Sequence, residues 1–236
     1  MGKGWKNTIK VANAAKKGAL FTKLIREIQV ASKLGGPDPS GNARLRMAVD
    51  AAKDVSCPND TIERAIKKGA GLLEDTQQIE EVTYEGYGPH GVGVIVEVQT
   101  DNRNRTVPEL RSSFKNHGGA MGENGSVMWM FSRVGLIEGK KQGSFDPEEE
   151  AIETGADEVF NNEDGTYMFF TSIDHLESVR KSLVSRGWTI SKAEPSYKAN
   201  QTQDLTPEQL KEVEDLLFEL DEHDDTHRVH ATLPMD

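Results

Sequence analysis

The sequence has a single cysteine and no long apolar run, and each of these shortages excludes a class of protein. Cys57 is the only cysteine, so no disulfide can form within the chain and a zinc site of four cysteines is excluded. No apolar run approaches the roughly 18 residues that a membrane-spanning helix needs, and the first residues lack the apolar segment of a secretory signal. We therefore expect a cytoplasmic protein without a membrane partner.

Positive charge is scarce overall but concentrated near the start of the chain. The sequence has 28 Lys and Arg against 39 Asp and Glu, which gives a net charge of −11. Residues 1–73 contain ten Lys, four Arg and six acids, a net +8, so residues 74–236 carry a net −19. Such asymmetry hints at nucleic-acid contact through the basic part. The alternatives are ordinary solvated Lys-rich helices and, more remotely, mimicry of nucleic acid by the acidic part.

The basic part, residues 1–75, is expected to form a three-helix bundle. The first helix ends at Gly35-Gly36-Pro37, and a second is predicted from about Asn42 to Val55. Pro58 opens a third helix, which ends at Gly69. The apolar positions of the first helix recur near helical spacing at Leu20, Phe21, Leu24, Ile25, Ile28 and Leu34.

The basic side chains of this part fall mainly off the apolar stripes, so we expect them to bind nucleic-acid phosphates. A Gly- and Ala-rich arm at the start of the chain contributes Lys3, Lys6, Lys10, Lys16 and Lys17. Trp5 is the one large apolar side chain of this arm, and it either stacks on a base or packs on the bundle. The predicted helices contribute Lys23, Arg26, Arg44, Arg46, Arg64, Lys67 and Lys68.

Two further candidates, Arg103 and Arg105, lie just before a predicted helix start in the acidic part. Helix N-termini and Arg guanidinium groups both suit phosphate. Pairing of these arginines with neighbouring acids is the alternative, and the sequence leaves both readings open.

The acidic part alternates strands and helices and predicts an α+β fold. Residues 134–192 have the order β-α-β-β-α-β of a ferredoxin-like unit. The flanking piece 92–131 has the order β-α-β, with strands predicted at 92–98 and 126–131. The piece 194–233 has the same order, with an extended segment at 194–199 and a strand at 228–233, so the two pieces would together make a second such unit. We therefore expect a discontinuous domain of residues 76–132 plus 194–236, with residues 133–193 inserted in it. Two domains in simple succession are the alternative.

No motif in the sequence indicates catalysis, a metal or a cofactor. Residues 86–91 match the dinucleotide pattern G-x-G-x-x-G, but the β-rich residues 92–98 follow where a helix is required, so a turn between strands is favoured. His223, His227 and His230 stand among acids, but they bridge a predicted helix end and a strand, so a solvated turn is favoured over a metal site. For the Gly-rich loop 118–125, a turn or a partner-contact loop is favoured over an active site.

Five stretches of the sequence together resemble the YebC/PmpR family. They are FTKLIREIQVASKLGGPDP (21–39), NARLRMAVDAAK (42–53), TIERAIKKGAG (61–71), YEGYGPHGVGVIVEVQTDNRNRT (84–106) and GSVMWMF (125–131). The resemblance implies a three-helix domain and two α+β domains, and no enzymatic activity. This chain departs from the family at Gly2-Lys3-Gly4, where members have His-Ser-Lys. Its N-terminal arm is also about three residues shorter and lacks the basic His-Arg-Lys stretch of the members. His90 stands where members often have Gly.

The resemblance implies a DNA-binding transcriptional regulator, which is our first functional expectation. Family members are also placed on the ribosome, which implies a translation factor that binds ribosomal RNA and relieves stalled synthesis, for example on proline runs. An adaptor that binds proteins through its acidic domains is the third expectation. No recognition helix with base-reading Asn or Gln is evident, and the net negative charge mildly favours a structured RNA–protein partner. We expect a monomer.

Overall fold

The computed structural model describes residues 15–74, 78–162 and 164–234, and they form an α+β fold. Three helices come first, and two antiparallel four-stranded sheets follow. These residues divide into two compact units, one of residues 15–129 with Gln203–Thr232 and one of Met130–Thr202 with residues 233 and 234. No helix within these ranges combines the length and apolarity required to cross a membrane. The expected fold class is confirmed.

The three helices, α1 (Ala15–Gly35), α2 (Ala43–Asp54) and α3 (Asn59–Gly69), form the helical segment at the start of the first unit. Their bounds agree with the sequence prediction to within a few residues. Their shared core is built from Ile28, Ala31, Leu45, Ala48, Val49, Ala52, Ile62 and Ala65.

Asn42 and Gly69 allow the three helices to pack closely against one another. The Asn42 amide donates to the carbonyls of Ala31 (2.7 Å) and Gly36 (2.9 Å), and its side-chain oxygen accepts from the Leu45 N–H (3.0 Å). One side chain therefore satisfies the end of α1 and the start of α2. At Gly69 a Cβ would collide with the Gln29 carbonyl, so glycine lets α3 approach α1.

The apolar stripe predicted on α1 is wrong at its two ends. Leu20 is 43% exposed and Leu34 is 66% exposed, while Ala31 and Ser32 are buried. At about 100° per residue, Leu34 lies some 120° around the helix from Ile28. It therefore points away from the core that Ile28 enters.

The first sheet belongs to the first unit and has the strand order β3-β1-β2-β8. Its helices, α4 (Arg103–Asn116) and α7 (Pro207–Glu222), contact each other, with Phe114 of α4 against Gly86 and Leu216 of α7 against Gly88. The sheet's strands are β1 (Glu80–Tyr87), β2 (Gly93–Thr100), β3 (Ala120–Met121) and β8 (Thr226–Ala231).

Two strand predictions for this sheet are wrong. Residues 126–131 do not form a strand in it, because the Glu85 carboxylate accepts the backbone N–H groups of Gly125 (2.6 Å), Val127 (2.8 Å) and Met128 (2.7 Å). Residues 194–199 do not join it either, and β1 takes the expected place. The sheet has ferredoxin-like strand order, with one strand moved to the start of the chain.

The second sheet forms the core of the second unit and has the order β5-β6-β4-β7, with all pairs antiparallel. The β-α-β-β-α-β order predicted for this region is present. Its elements are β4 (Phe131–Lys140), α5 (Pro147–Thr154), β5 (Glu158–Asn161), β6 (Tyr167–Thr171), α6 (Leu176–Ser185) and β7 (Thr189–Ala199).

The boundary predicted at residue 193 falls inside β7. The ten-residue β4 pairs with β7 along its whole length, from Phe131 opposite Ala199 to Lys140 opposite Thr189, so residues 194–199 stay with the second sheet. The long segment Met130–Thr202 of the second unit accordingly interrupts the first unit in the chain. The division into three domains remains a prediction.

Candidate nucleic-acid interface

The basic arm lies mostly outside the described residues. Lys3, Lys6 and Lys10, together with Trp5, precede residue 15, and their expected role in binding stays a prediction. Lys16 and Lys17 lie in the first turn of α1, but their side chains are also outside the described part.

Lys23 and Arg26 of α1 contact the end of α7. That end carries Asp221 and Glu222 and no basic residue, which opposes the dipole of the helix. The Lys23 ammonium donates to the Asp221 carbonyl and the Arg26 guanidinium donates to the Asp224 carbonyl. Burial lowers the pKa of Lys23. These two cations therefore compensate an acidic helix end within the molecule.

Asp225, which is 1% exposed, is the centre of this contact. It accepts hydrogen bonds from Arg105 (2.9 Å), Thr106 (2.5 Å) and Thr100 (3.0 Å), and it pairs with Arg26 at 2.8 Å. Burial alone would raise the pKa of Asp225, but the hydrogen bonds of Thr106 and Arg105 and the charge of Arg26 hold it below its ordinary value. The carboxylate thus links α1 to the first sheet.

Arg44 is also bound within the molecule. Its guanidinium contacts Glu27 at 2.6 Å and Glu81 at 2.7 Å, and Gln99 donates to the same Glu27 carboxylate at 2.6 Å. Burial opposes ionisation of Glu27, but the Arg44 hydrogen bond and nearby positive charge prevail and lower its pKa to about 2. Arg44 therefore attaches the helical segment to the first sheet.

The two arginines at the start of α4 also pair with acids. Arg103 contacts Glu80 at 2.5 Å in an exposed pair, and Arg105 contacts Asp225 and, at 3.5 Å, Asp101. Of the two readings left open by the sequence, pairing with acids is the one that the geometry shows. An exposed pair such as Arg103 with Glu80 contributes little stability, so that side chain can be recruited elsewhere.

The remaining candidates, all on α2 and α3, face outward. Arg46, Arg64 and Lys67 are exposed, Lys68 is half-buried, and none of them makes an ion pair with another described residue. Lys53 on α2 is also exposed and lies two turns beyond Arg46 on the same face, although it was not among the residues predicted from the sequence. We call these five residues, Arg46, Lys53, Arg64, Lys67 and Lys68, the outward cations.

The outward cations of α3 follow helical spacing. Arg64 lies three and four residues before Lys67 and Lys68, and Lys67 and Lys68 fall in the last turn, where they suit the helix dipole. Arg64 and Lys67 also line an open depression of about 480 Å³ together with Asp60, Glu63 and Glu74. Three of the lining side chains are carboxylates, so the depression itself does not favour a phosphate, and because it is open it does not enclose a small molecule.

The Gly-rich pattern at residues 86–91 forms a turn between β1 and β2, as predicted. Pro89–Gly91 form one short helical turn, and β2 rather than a helix follows. His90 adopts a positive φ of 59°, and its ring contacts Glu212 at 2.7 Å. The helix N-terminus required to bind a pyrophosphate is not formed there.

The three histidines near the end of the chain contact three different carboxylates. His223 contacts Glu109 at 2.8 Å, His227 contacts Glu27 at 3.3 Å, and His230 contacts Glu97 at 2.9 Å. Over residues 15–74, 78–162 and 164–234, no group of three or more His, Cys, Asp or Glu is arranged to bind a metal ion.

Proteins of known sequence and structure resemble this chain along most of its length. It is 68% identical to the probable transcriptional regulatory protein Bd1964 of Bdellovibrio bacteriovorus over 99% of this chain and 100% of that protein. It is 46% identical to a probable transcriptional regulatory protein of Pseudomonas fluorescens over 99% of each. The crystal structure of the conserved hypothetical protein Aq1575 from Aquifex aeolicus matches with a TM-score of 0.85 and 44% identity, and covers 94% of this chain and 93% of that one.

Two family descriptions account for nearly the whole chain. Residues 4–72 match the TACO1/YebC protein N-terminal domain, and residues 79–233 match the TACO1/YebC second and third domain. The chain therefore belongs to the TACO1/YebC family.

Proposed function

We propose that this protein is a nucleic-acid-binding regulator of gene expression, and that the outward cations of α2 and α3 bind nucleic-acid phosphates. The observation that carries the proposal is their lack of an internal carboxylate partner among the described residues, whereas Lys23, Arg26 and Arg44 contact acids or carbonyls of the same unit. Relatives named as probable transcriptional regulatory proteins favour DNA as the nucleic acid.

The test is the salt dependence of binding. The triple variant Arg64→Gln, Lys67→Gln, Lys68→Gln removes three cations and retains the helix propensity of α3. The matched control Lys140→Gln, Lys181→Gln, Lys211→Gln makes the same charge change at exposed lysines outside the helical segment. Binding to a labelled random-sequence DNA duplex about three helical turns long is measured by fluorescence anisotropy at several salt concentrations.

The expected slope of log K against log salt becomes less negative by about 2.7 in the α3 variant, which corresponds to three lost phosphate contacts. The control keeps the wild-type slope. An α3 variant with the wild-type slope and affinity would falsify the assignment of binding to these cations.

A ribosome-associated translation factor is the second candidate, and the residues at the starts of α2 and α3 favour it. Asn42, at the start of α2, is occupied by hydrogen bonds within the helical segment, and the first turns of α3 carry Asp60 and Glu63. Helices that read DNA present base-contacting side chains at their N-terminal end, whereas phosphate contacts carry no sequence information. Structured RNA is a partner that phosphate contacts alone can bind.

Sedimentation with ribosomes through a sucrose gradient, at low and physiological salt with duplex DNA as competitor, separates the two candidates. Co-migration that resists the DNA supports the translation factor. Protein at the top of the gradient that binds particular duplexes tightly supports the transcriptional regulator. Absence of both kinds of binding favours a protein-interaction adaptor.

A further inference from the structure

The cations of the acidic part, residues 74–236, are nearly all occupied. Nine of its fourteen Lys and Arg side chains pair with a carboxylate. A tenth, Arg133, lies over the Tyr197 ring at 4.5 Å. The four that make no ion pair with any other described residue are Arg111, Lys115, Lys140 and Lys211.

Two of these four lie together on α4. Arg111 and Lys115 are one helical turn apart, so they project from the same face, and both are exposed. The residues one turn from either of them on α4, such as Val107 and Ser112, are uncharged. Lys211, in contrast, stands within one turn of Glu208 and Asp215 on α7.

Like charges one turn apart repel each other, and only Lys115, in the last turn, is favoured by the helix dipole. The one acid of α4, Glu109, lies two positions before Arg111 rather than one turn away, and it contacts His223 at 2.8 Å. The same exposed face carries Ser112 and Asn116. Arginine, lysine, serine and asparagine side chains are the donors that proteins use on nucleic-acid phosphates.

The opposite face of α4 is fixed in the core. Leu110 and Phe114 are fully buried, and Thr106 and Arg105 bind the buried Asp225 carboxylate. The helix therefore holds Arg111 and Lys115 outward on a rigid backbone, which reduces the conformational entropy that the protein loses when a ligand binds.

We propose that Arg111 and Lys115 form a second binding surface for nucleic-acid phosphates, on α4 of the acidic part. The inference rests on the proposed function, since it adds this surface to the outward cations of α2 and α3. Nucleic acid is the occupant that the charge and the donor set of this face favour.

The test compares two double variants of the full chain. Arg111→Gln with Lys115→Gln removes the surface, and Lys140→Gln with Lys211→Gln makes the same charge change at exposed lysines of β4 and α7. The probes are the labelled DNA duplex described above and an RNA duplex of the same length. On the DNA duplex the α4 variant is expected to bind roughly tenfold more weakly, with a slope less negative by about 1.8, while the control keeps the wild-type slope.

The conservative variant Arg111→Lys with Lys115→Arg keeps both charges and is expected to restore binding. Thermal unfolding of each variant checks that α4 remains folded. If the wild-type protein binds neither duplex, the proposed function itself fails. If the α3 triple variant loses binding while the α4 variant binds both duplexes like the wild type, this inference alone is overturned, and an acidic protein becomes the better partner for α4.

Discussion

α1 and α3 both carry basic side chains in the same helical segment, but these side chains have different environments. Lys23 and Arg26 of α1 contact the acidic end of α7 and the buried Asp225. Arg64 and Lys67 of α3 are exposed and make no ion pair within the described part of the chain. Net positive charge is therefore a poor guide to a binding surface until the internal partners are known. The contrast predicts that α1 contributes stability and α3 contributes affinity.

The largest expected effect is on stability, from removal of the acceptor for α1. Asp225→Ala leaves Arg26 and Arg105 without their carboxylate and should lower the free energy of unfolding by about 3 kcal/mol. Urea unfolding measures it. Asp224→Ala is the control, because only the carbonyl of that residue binds Arg26, and it should cost under about 0.5 kcal/mol. Equal effects of the two variants would contradict the role of the Asp225 carboxylate.

A somewhat smaller effect on the free energy of unfolding, and one that depends on pH, is expected from Glu27, which helps Arg44 to attach the helical segment to the first sheet. The pKa of Glu27 is lowered from 4.5 to about 2, so its stabilisation is present above about pH 4.5 and is lost as the pH falls towards 2. Glu27→Gln should therefore cost about 2 to 3 kcal/mol at pH 7 and much less at pH 3. Urea unfolding of both proteins at the two pH values tests this; a constant difference between them would argue against it.

The smallest effects come from single substitutions that set α1 directly against α3. Arg26→Gln should lower the free energy of unfolding by about 1 to 2 kcal/mol and leave the salt slope of DNA binding unchanged. Arg64→Gln should change stability by less than about 0.5 kcal/mol and make the slope less negative by about 0.9. Unfolding and anisotropy measurements on both variants are required, and an interchange of the two outcomes would reverse the assignment of the helices.

The sequence predicts the helices well because their signals are local. Apolar spacing and the Gly and Pro residues at the helix ends place α2 and α3 to within a few residues. The strand at residues 80–87 escaped prediction, and residues 194–199 were assigned to the wrong sheet, because pairing joins segments distant in the chain. Whether a basic side chain is paired with an acid or exposed depends on the same long-range contacts. Arg26 and Asp225 are 199 positions apart by number, so no spacing rule connects them.

The position of β8 determines the order in which the parts of the chain can fold during synthesis. All eight residues of β2 are buried in the finished protein, yet β8, which covers one edge of β2, begins 126 positions after the end of β2 and is synthesised that much later. All strands of the second sheet have left the ribosome before β8 is made, so that sheet can form while β2 still has an open edge. Open edges of apolar strands promote aggregation. During synthesis the first sheet therefore keeps an exposed apolar edge until β8 has been made.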